Sequence, residues 1–280
     1  MPELPEVETV CRGLATVLEG RVLTRVTARR PDLRIPLPPD LSARLTGNRV
    51  LRVGRRAKYI LLTFADGAVL ITHLGMAGRM VIAKPEDGAP GAHDHVILAT
   101  EEGREIRFND ARRFGLMTLT DDDRLADHPL LAGLGPEPLS NAFNGPALGA
   151  AIRGRRSSIK AALLDQRVVA GIGNIYASEA LFGAGLSPRR RAGTVQRGRA
   201  DRLAAAIRTV LEAAIAAGGS SLRDHVQPSG ELGYFQHRWA VYDRAGAACP
   251  GCDCDLAATG GIQRMVQQGR STYYCPRRQR

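Results

Sequence analysis

The sequence predicts an α+β protein: an N-terminal β-sandwich with an N-terminal helix, then a helical part, then a C-terminal β-hairpin that carries cysteines. Three observations support this fold class. Short β-branched or leucine-rich runs, separated by turn residues, occupy residues 21–119. Helical patterns replace them after a segment rich in proline, glycine, asparagine and serine. Four of the five cysteines lie in the last 32 residues.

The first element is a predicted amphipathic helix. Val7, Val10 and Leu14 recur at helical spacing, and Gly20 is well placed to end the helix. Glu3 would complement the positive N-terminus of this helix. A helix is therefore expected here whatever else the terminus does.

Pro2 directly follows Met1, and a second residue this small permits removal of the initiator methionine. The secondary amine of Pro2 would then be the chain terminus. A terminal amine titrates near 7.7 to 8.0 and a lysine near 10.4, so the neutral fraction at pH 7 is much larger for the terminus. A neutral amine can form a Schiff base with a carbonyl-level carbon. Taken alone, Pro2 is either the start of a helix or such a nucleophile.

Five strand candidates follow the helix. Their spacing, with turn residues between them, suggests a sandwich or barrel. The candidates are residues 50–53, 59–64, 69–71, 96–98 and 116–119. Helical patterns then cover residues 159–166, 175–183 and 195–217, and the last ends at a pair of glycines.

These patterns predict a division of the chain into an N-terminal sandwich domain (1–133), a linker (134–150), a helical domain (151–237) and a cysteine-bearing tail (238–280). A polar, glycine-bearing loop occupies residues 220–234. No run of residues approaches the length of a membrane span. The acidic N-terminus does not resemble an export signal. The expectation is a cytoplasmic protein.

The net charge of +11 is unevenly distributed. Residues 1–150 contain equal numbers of basic and acidic side chains, whereas residues 151–280 contain 20 basic and 9 acidic ones. This asymmetry suggests a polyanionic partner such as DNA, although a solvated basic face is the alternative. Only three of the 39 basic residues are lysine: Lys58, Lys84 and Lys160. In a chain whose basic residues are almost all arginine, the three lysines are candidates for functions that need an amine.

The cysteine tail has the spacing of a zinc knuckle at Cys249-x2-Cys252. About forty residues with few large apolar side chains scarcely fold without a metal or another covalent constraint. A disulfide is the alternative, and it is disfavoured in a chain without an export signal. The tail also contains a hairpin pattern in residues 267–275, with Gly269 at the turn.

Five motifs occur in order along the chain: MPELPEVET at 1–9, RRAKY at 55–59, HLGM at 73–76, NDARRFG at 109–115 and GIGNIYASE at 171–179. Together they resemble the formamidopyrimidine-DNA glycosylases, which are bifunctional DNA-repair enzymes. The resemblance covers the whole chain. It implies that residues 1–133 form the catalytic sandwich domain. It also implies that residues 151–237 form a helix-two-turn-helix DNA-binding domain with a lesion-capping loop at 220–234, and that residues 238–280 form a zinc finger.

The resemblance also implies roles for individual residues. Pro2 would attack C1′ of a flipped nucleotide, Glu3 would transfer protons at the sugar, and Glu6 would support both. Lys58 and Arg270 complete the implied catalytic set, the latter by assisting elimination from the hairpin turn. The implied DNA-binding residues are His73, Met76, His93, Arg112, Arg113, Phe114, Arg156, Lys160 and Asn174. Among these, Met76, Arg112 and Phe114 would fill the void left by the extruded nucleotide.

The tail departs from the family pattern of two Cys-x2-Cys pairs, since Arg278 stands where the last cysteine is expected. Cys254 lies in an apparent insertion and could supply the missing thiolate, although it is only two residues from Cys252. We expect one structural Zn²⁺ on Cys249, Cys252, Cys254 and Cys275. A finger held by packing alone is the alternative.

The function implied is base-excision repair of oxidised purines, chiefly 8-oxoguanine opposite cytosine and formamidopyrimidines, by a monomer acting on double-stranded DNA near the bacterial nucleoid. No membrane partner is expected. One alternative is an endonuclease VIII-type glycosylase for oxidised pyrimidines, which typically has glycine where this chain has Leu4. The other is a non-catalytic zinc-bearing DNA-binding protein, which would leave Pro2, Glu3 and Lys58 without a role.

Overall fold

The computed structural model describes residues 1–220, 233–253 and 255–280. They form two compact units. The first unit consists of Met1–Ala132 with Ala217–Tyr234, and the second of Gly133–Ala216 with Phe235–Arg280. None of the helices in these residues is both long enough and apolar enough to span a membrane.

The first unit contains helix α1 (Leu4–Leu18), the short helix α2 (Leu41–Leu45) and eight strands. The strands are β1 (Leu23–Ala28), β2 (Val50–Arg56), β3 (Tyr59–Phe64), β4 (Ala68–His73), β5 (Arg79–Ala83), β6 (Asp94–Thr100), β7 (Glu105–Asn109) and β8 (Leu116–Asp121). They form two antiparallel four-stranded sheets, in the orders β1-β6-β7-β5 and β2-β3-β4-β8.

One hydrophobic core joins α1 to both sheets. Val10, Leu14 and Leu18 of α1 pack in the same buried cluster as Leu62 of β3 and Phe108 of β7. The predicted helix is confirmed, because its apolar positions at helical spacing are the buried ones. The helix ends at Leu18, two residues before a left-handed glycine at φ +78°.

All five predicted strand runs lie within observed strands, and β1, β5 and β7 were not predicted individually. In β1 the register shifts between Leu23 and Arg25, which interrupts the alternation of buried and exposed side chains. In β7 the centre is buried but includes Arg107, which pairs with Glu105 at 2.8 Å. Both features obscure the apolar pattern by which strands are recognised.

The second unit contains helices α3 (Gly145–Ile152), α4 (Ile159–Leu164), α5 (Asn174–Gly183), α6 (Gly198–Ala216) and α7 (Leu256–Thr259). It ends in the antiparallel hairpin of β9 (Gln263–Gln267) and β10 (Arg270–Tyr274). The predicted helices and the predicted hairpin are all present. The α+β fold class with a C-terminal hairpin is therefore confirmed.

Helix α3 lies partly within residues 134–150, where the sequence predicted a linker. Asn144 caps this helix, and its side chain accepts a hydrogen bond from the N–H of Ala147 at 2.9 Å. The linker was predicted because two glycines and a proline lie in and around this helix, and these residues are typical of loops. Proline is, however, well tolerated in the first turn of a helix.

Candidate functional site

The N-terminus places two buried carboxylates at the start of α1. Glu3 is the N-cap residue and is 3% exposed. Glu6 is completely buried, and its Oε2 accepts the backbone N–H of Glu3 at 2.8 Å. Its Oε1 accepts the N–H of Ser220 at 2.9 Å. Pro2 is buried and directly precedes Glu3. The predicted residues Pro2, Glu3 and Glu6 therefore lie at one end of α1.

Lys58 lies in the turn between β2 and β3 and is 8% exposed. The sequence placed it at the opening of a strand, and β3 indeed begins at Tyr59. Tyr59 pairs with His73 across the β3–β4 ladder, with ring centroids 5.0 Å apart. The sheet thereby carries Lys58 close to His73.

His73 is held in its neutral form. Burial is the main reason why the pKa of its imidazole falls to about 4, and the positive charges of Lys58, Arg34 and the chain N-terminus lower it further. Its Nδ1 accepts the N–H of Gly75 at 2.9 Å. The N-terminus and Lys58 therefore both lie close enough to His73 to lower its pKa.

The loop after His73 packs on the loop that contains Phe114. A Cβ atom at Gly75, which has φ +64°, would lie 2.4 Å from the backbone carbon of Phe114. Only glycine fits there without moving the backbone. The close approach presents Met76 and Phe114, which are 44% and 43% exposed. Both are large apolar side chains on loops, as predicted.

The 109–115 loop is built around Asp110, which the sequence analysis did not single out. Its buried carboxylate accepts the backbone N–H of Arg112 at 3.2 Å and that of Gly115 at 2.8 Å. The guanidinium of Arg112 lies 4.7 Å from the ring centroid of Phe114. A stacked arginine and aromatic ring suit contacts with bases.

His93 and Arg113 are exposed near the same loop. The carbonyl oxygen of His93 accepts the N–H of Asp110 at 3.0 Å. Arg113 has φ +57°, an unusual conformation for a residue other than glycine. The first unit therefore brings together His73, Met76, His93, Arg112, Arg113 and Phe114 around two touching loops.

In the second unit, Asn174 begins α5 directly after Gly173. Its Nδ2 donates to the carbonyl oxygen of Ser271 at 2.9 Å and to the hydroxyl of Tyr242 at 3.3 Å. Its buried Oδ1 has no hydrogen-bond partner among the described residues. Since both protons of the amide group are engaged, its side chain would have to release one of them to donate to a phosphate.

The position of Lys160 differs from the direct DNA contact implied by the resemblance. The side chain is 1% exposed, and Nζ donates to Thr272 Oγ1 at 2.6 Å and to the Ser271 carbonyl at 3.0 Å. Its ammonium group is thus enclosed beneath β10. The stem lies in the buried part of α4, so the charge points into the protein. Lys160 therefore contacts the hairpin from the protein interior instead of lying on its surface.

Arg270 is the exposed first residue of β10 and, as predicted, stands at the hairpin turn. It lines a cavity of about 420 Å³ together with Arg155 and Asp165. Arg155 pairs with Asp165 at 2.9 Å, and hydrogen bonds from Arg167 and Arg155 lower the pKa of Asp165 well below its usual range. Arg156, beside Arg155, is exposed.

Glu179 of α5 is a second buried carboxylate that the sequence did not reveal. It accepts the backbone N–H groups of Ala240, Val241 and Tyr242 at 2.8 to 2.9 Å. Burial raises the pKa of its carboxyl, and the three hydrogen bonds oppose that shift. The carboxylate fixes the first part of the cysteine tail. Its partners are more than sixty positions away, which explains why sequence patterns gave no signal.

Three cysteines of the tail form a group that could hold a metal once Cys252, which the structure places in a disulfide bond, is reduced. The Sγ atoms of Cys249, Cys252 and Cys275 all lie within 4.8 Å of one another. Those of Cys252 and Cys275 are 3.6 Å apart. Two thiolates on one tetrahedral zinc, with Zn–S near 2.3 Å, would be about 3.8 Å apart, so this spacing fits. Cys254 and most of the 220–234 loop lie outside the described residues.

Family models match most of this chain. The formamidopyrimidine-DNA glycosylase N-terminal domain matches residues 1–117, and the H2TH domain of the same enzymes matches residues 134–226. The formamidopyrimidine-DNA glycosylase of Rhodospirillum rubrum is 62% identical over the full length of both chains. The chain belongs to the formamidopyrimidine-DNA glycosylase family.

Other comparisons agree with this assignment. The Paracoccus denitrificans formamidopyrimidine-DNA glycosylase is 58% identical, with 99% of each chain covered. The MutM (Fpg) crystal structure from Thermus thermophilus is 41% identical with a TM-score of 0.87, and covers 99% of this chain and 98% of its own. Lactococcus lactis Fpg, bound to DNA containing N7-benzyl-Fapy-dG, is 32% identical with a TM-score of 0.89 over 100% of both chains.

The predicted family membership is confirmed, and with it the prediction of a bifunctional DNA glycosylase and abasic-site lyase of base-excision repair. The helix-two-turn-helix domain implied for the second half is confirmed as well. These matches favour neither the oxidised-pyrimidine glycosylase nor the non-catalytic DNA-binding protein.

Proposed function

We propose that this enzyme removes 8-oxoguanine opposite cytosine and formamidopyrimidines from duplex DNA through a Schiff base at Pro2, and then cleaves the strand. The main observation behind this proposal is that Pro2 lies beside the buried Glu3 at the start of α1, in the same unit as Lys58. Two related structures support the substrate class. Fpg of Lactococcus lactis was solved with DNA containing N7-benzyl-Fapy-dG, and a MutM 32% identical to this chain was solved with DNA containing carbocyclic 8-oxo-G.

The local electrostatics favour the nucleophile. Once Met1 is removed, the secondary amine of Pro2 lies near the positive N-terminal end of α1 and in the charge environment of Lys58. Both disfavour protonation of the amine, which must be neutral to attack. Its attack on C1′ breaks the glycosidic bond, and the departing base takes a proton. Glu3 would transfer protons at the sugar, and Glu6 holds the backbone of Glu3 in place.

The amine then loses its proton, and the C1′–O4′ bond breaks as O4′ takes a proton, which opens the sugar ring to an iminium. This iminium is an electron sink that acidifies the neighbouring C2′–H. Loss of that proton expels the 3′ phosphate by β-elimination, and a second elimination expels the 5′ phosphate. A one-nucleotide gap remains. Arg270 would assist these eliminations by neutralising phosphate charge.

DNA recognition would use the two touching loops of the first unit and the basic second unit. Met76 and Phe114 would enter the base stack, Arg112 would face the orphaned cytosine, and His73, His93 and Arg113 would support these contacts. In the second unit, Arg156 and Asn174 would bind phosphates, and Lys160 would hold the hairpin. Residues 220–234 would cap the extruded lesion.

We also propose one structural Zn²⁺ on Cys249, Cys252 and Cys275, with Cys254 as the candidate for the fourth ligand. This zinc would be structural and would take no part in the reaction. The domain division proposed is 1–133, 134–150, 151–237 and 238–280. The enzyme would act as a monomer on chromosomal DNA, and therefore in the bacterial cytoplasm beside the nucleoid.

Borohydride trapping tests the reaction. The purified protein, with Met1 removal verified by mass spectrometry, is incubated with a duplex that carries one 8-oxoguanine opposite cytosine. A covalent complex that Pro2→Gly loses or greatly weakens is the expected result, since glycine also permits methionine removal but has a primary amine in place of the secondary one. A parallel duplex with thymine glycol measures the competing specificity. Unimpaired DNA binding without any trapped complex would contradict the mechanism, and faster processing of thymine glycol would contradict the substrate.

A further inference from the structure

The last residues of the chain are fastened to the end of α5 and the turn after it. Gln279 is 3% exposed, and its Nε2 donates to the carbonyl oxygen of Leu186 at 2.9 Å. The N–H of Arg280 donates to the carbonyl oxygen of Gly185 at 3.1 Å. Gln279 also accepts the N–H of Cys275 through Oε1 at 2.8 Å. None of these bonds involves a thiolate, so none needs a metal.

Arg278, at the position where a fourth cysteine is expected, extends this attachment. Its Nη1 donates to the carbonyl oxygen of Gly251 at 2.7 Å, within the loop between Cys249 and Cys252. Its guanidinium carbon lies 4.8 Å from the ring centroid of Phe182 on α5. One side chain thus links the cysteine loop to the helix beneath it.

The cysteine tail also shares its core with α5. Phe182 belongs to a buried cluster with Val241, Ile262 and Tyr273 of the tail, and with Cys249 and Cys275. An isolated finger of this size would depend on its metal for folding. A finger that packs on a neighbouring helix has additional buried apolar surface to stabilise it.

We propose that Arg278 takes over the structural role of the fourth thiolate, so that the tail remains docked on α5 without a bound metal. The guanidinium joins the same two parts that a fourth ligand would join, the Cys249–Cys252 loop and the end of the chain. Hydrogen bonds from a charged donor and stacking on an aromatic ring replace a metal–sulfur bond. This inference does not depend on the proposed reaction, because it concerns only how the tail is held.

The test compares four full-length proteins, each with and without prior removal of metal by a chelator: wild type, Arg278→Ala, Arg278→Cys and Arg277→Ala. Metal content is measured by mass spectrometry, and the stability of the tail by hydrogen exchange at the amides of residues 270–275. Arg277 is the control, because it is exposed like Arg278 but its side chain bonds only to the carbonyl oxygen of Asp253 among the contacts of the described residues.

In the wild type and Arg277→Ala, chelation should change exchange less than about twofold, whereas chelated Arg278→Ala should exchange at least about tenfold faster. Arg278→Cys restores four thiolates in the family arrangement. Its tail should be protected when zinc is bound and lose protection when zinc is removed. The Arg278→Cys tail would then need metal to stay docked, whereas the wild-type tail would not.

Two results would overturn the proposal. One is a wild-type tail that loses protection on chelation as fully as Arg278→Ala does. The other is an Arg278→Ala tail that stays protected without metal, since the contacts of the Arg278 side chain would then be dispensable. If Arg278→Ala does not fold, Arg278→Lys keeps the charge and most of the stem but lacks the planar fork, and it should show the same loss in weaker form.

Discussion

The buried carboxylate of Glu6 joins the N–H of Glu3 to the N–H of Ser220, which lies 214 positions later in the chain. Gly219, at φ +77°, completes this contact, since a Cβ there would approach the Cα of Glu6 to 3.3 Å. Ser220 opens the segment proposed to cap the lesion. One side chain therefore connects the proposed nucleophile to the base of that segment.

Replacing Glu6 with glutamine should separate the two activities. The side-chain amide of glutamine would direct its own N–H protons at one of the two backbone N–H groups. One of the two hydrogen bonds, to Glu3 or to Ser220, would therefore be lost, at a cost of about 1 to 3 kcal/mol. Capping matters only while a damaged base is present. We expect excision of 8-oxoguanine to fall at least about tenfold, and cleavage at a preformed abasic site to fall much less.

Single-turnover rates on the two substrates measure this difference. Glu8→Gln is the matched control, because Glu8 is on the same helix but bonds to the side chains of Arg12 and Arg55. Equal losses on both substrates would show that Glu6 does not act through Ser220.

Met76→Ala and Phe114→Ala should impair base extrusion without destabilising the protein. Both side chains are more than 40% exposed, so their truncation should change the free energy of unfolding by less than about 0.5 kcal/mol. Wedges in the base stack compensate unstacking costs of a few kcal/mol per step, so excision from duplex DNA should fall about 10- to 100-fold.

Fluorescence of 2-aminopurine beside the lesion reports the extrusion step directly. Leu51→Ala is the control, since Leu51 is 55% exposed on β2 and far in sequence from both loops. Normal extrusion by both loop variants would show that the two side chains do not enter the stack.

The parts of the fold that sequence predicted are those with an uninterrupted local pattern. Helix α1 repeats apolar residues at helical spacing, and the central strands β3 and β4 are nearly continuous apolar runs. By contrast, β7 buries Arg107 through an ion pair with Glu105, and β1 contains a register shift. Periodicity alone cannot recognise a buried ion pair or a bulge.

The candidate site shows the same contrast between residues found by local patterns and residues that act through long-range contacts. Motifs identified Pro2 and Asn174, whereas the residues that hold the site together act over long sequence distances. Glu179 meets its backbone partners only after folding, and Lys160 is buried by a hairpin more than a hundred positions away. Asp110 had a detectable signal, since aspartate commonly begins turns of this kind.

The low pKa of His73 predicts a specific pH dependence. Its pKa is about 4 in the folded protein and near 6.5 when unfolded, so the unfolded state binds more protons between these values. The contribution to stability is complete above pH 6.5 and is lost as the pH falls toward 4. Between pH 7.5 and 5 the loss should be about 2 kcal/mol.

An NMR titration of the His73 imidazole measures the pKa itself, and denaturant unfolding of the wild type and His73→Gln at both pH values measures its effect. The variant should lack this part of the pH dependence. His93→Gln serves as a control, because His93 is exposed. An NMR midpoint near 6.5 would show that His73 is not held neutral by burial.

The opposite placements of Lys160 and Arg156 predict different dependences of DNA binding on salt. Each basic residue that neutralises a phosphate contributes about 0.9 to the slope of log K against log salt concentration. Arg156 is exposed, so Arg156→Ala should reduce the slope by about that amount. The ammonium of Lys160 is buried against Ser271 and Thr272, so Lys160→Met should leave the slope unchanged.

Lys160→Met should nevertheless slow the elimination steps, because Ser271 adjoins Arg270 in β10. In a double-mutant cycle with Arg270→Ala, the two losses should be strongly non-additive, since both act through the same side chain. Fluorescence anisotropy across a salt series, with a duplex that carries an uncleavable abasic-site analogue, gives the slopes. A reduced slope for Lys160→Met would mean that the lysine leaves its buried position to bind DNA, and additive losses would show that it does not position Arg270.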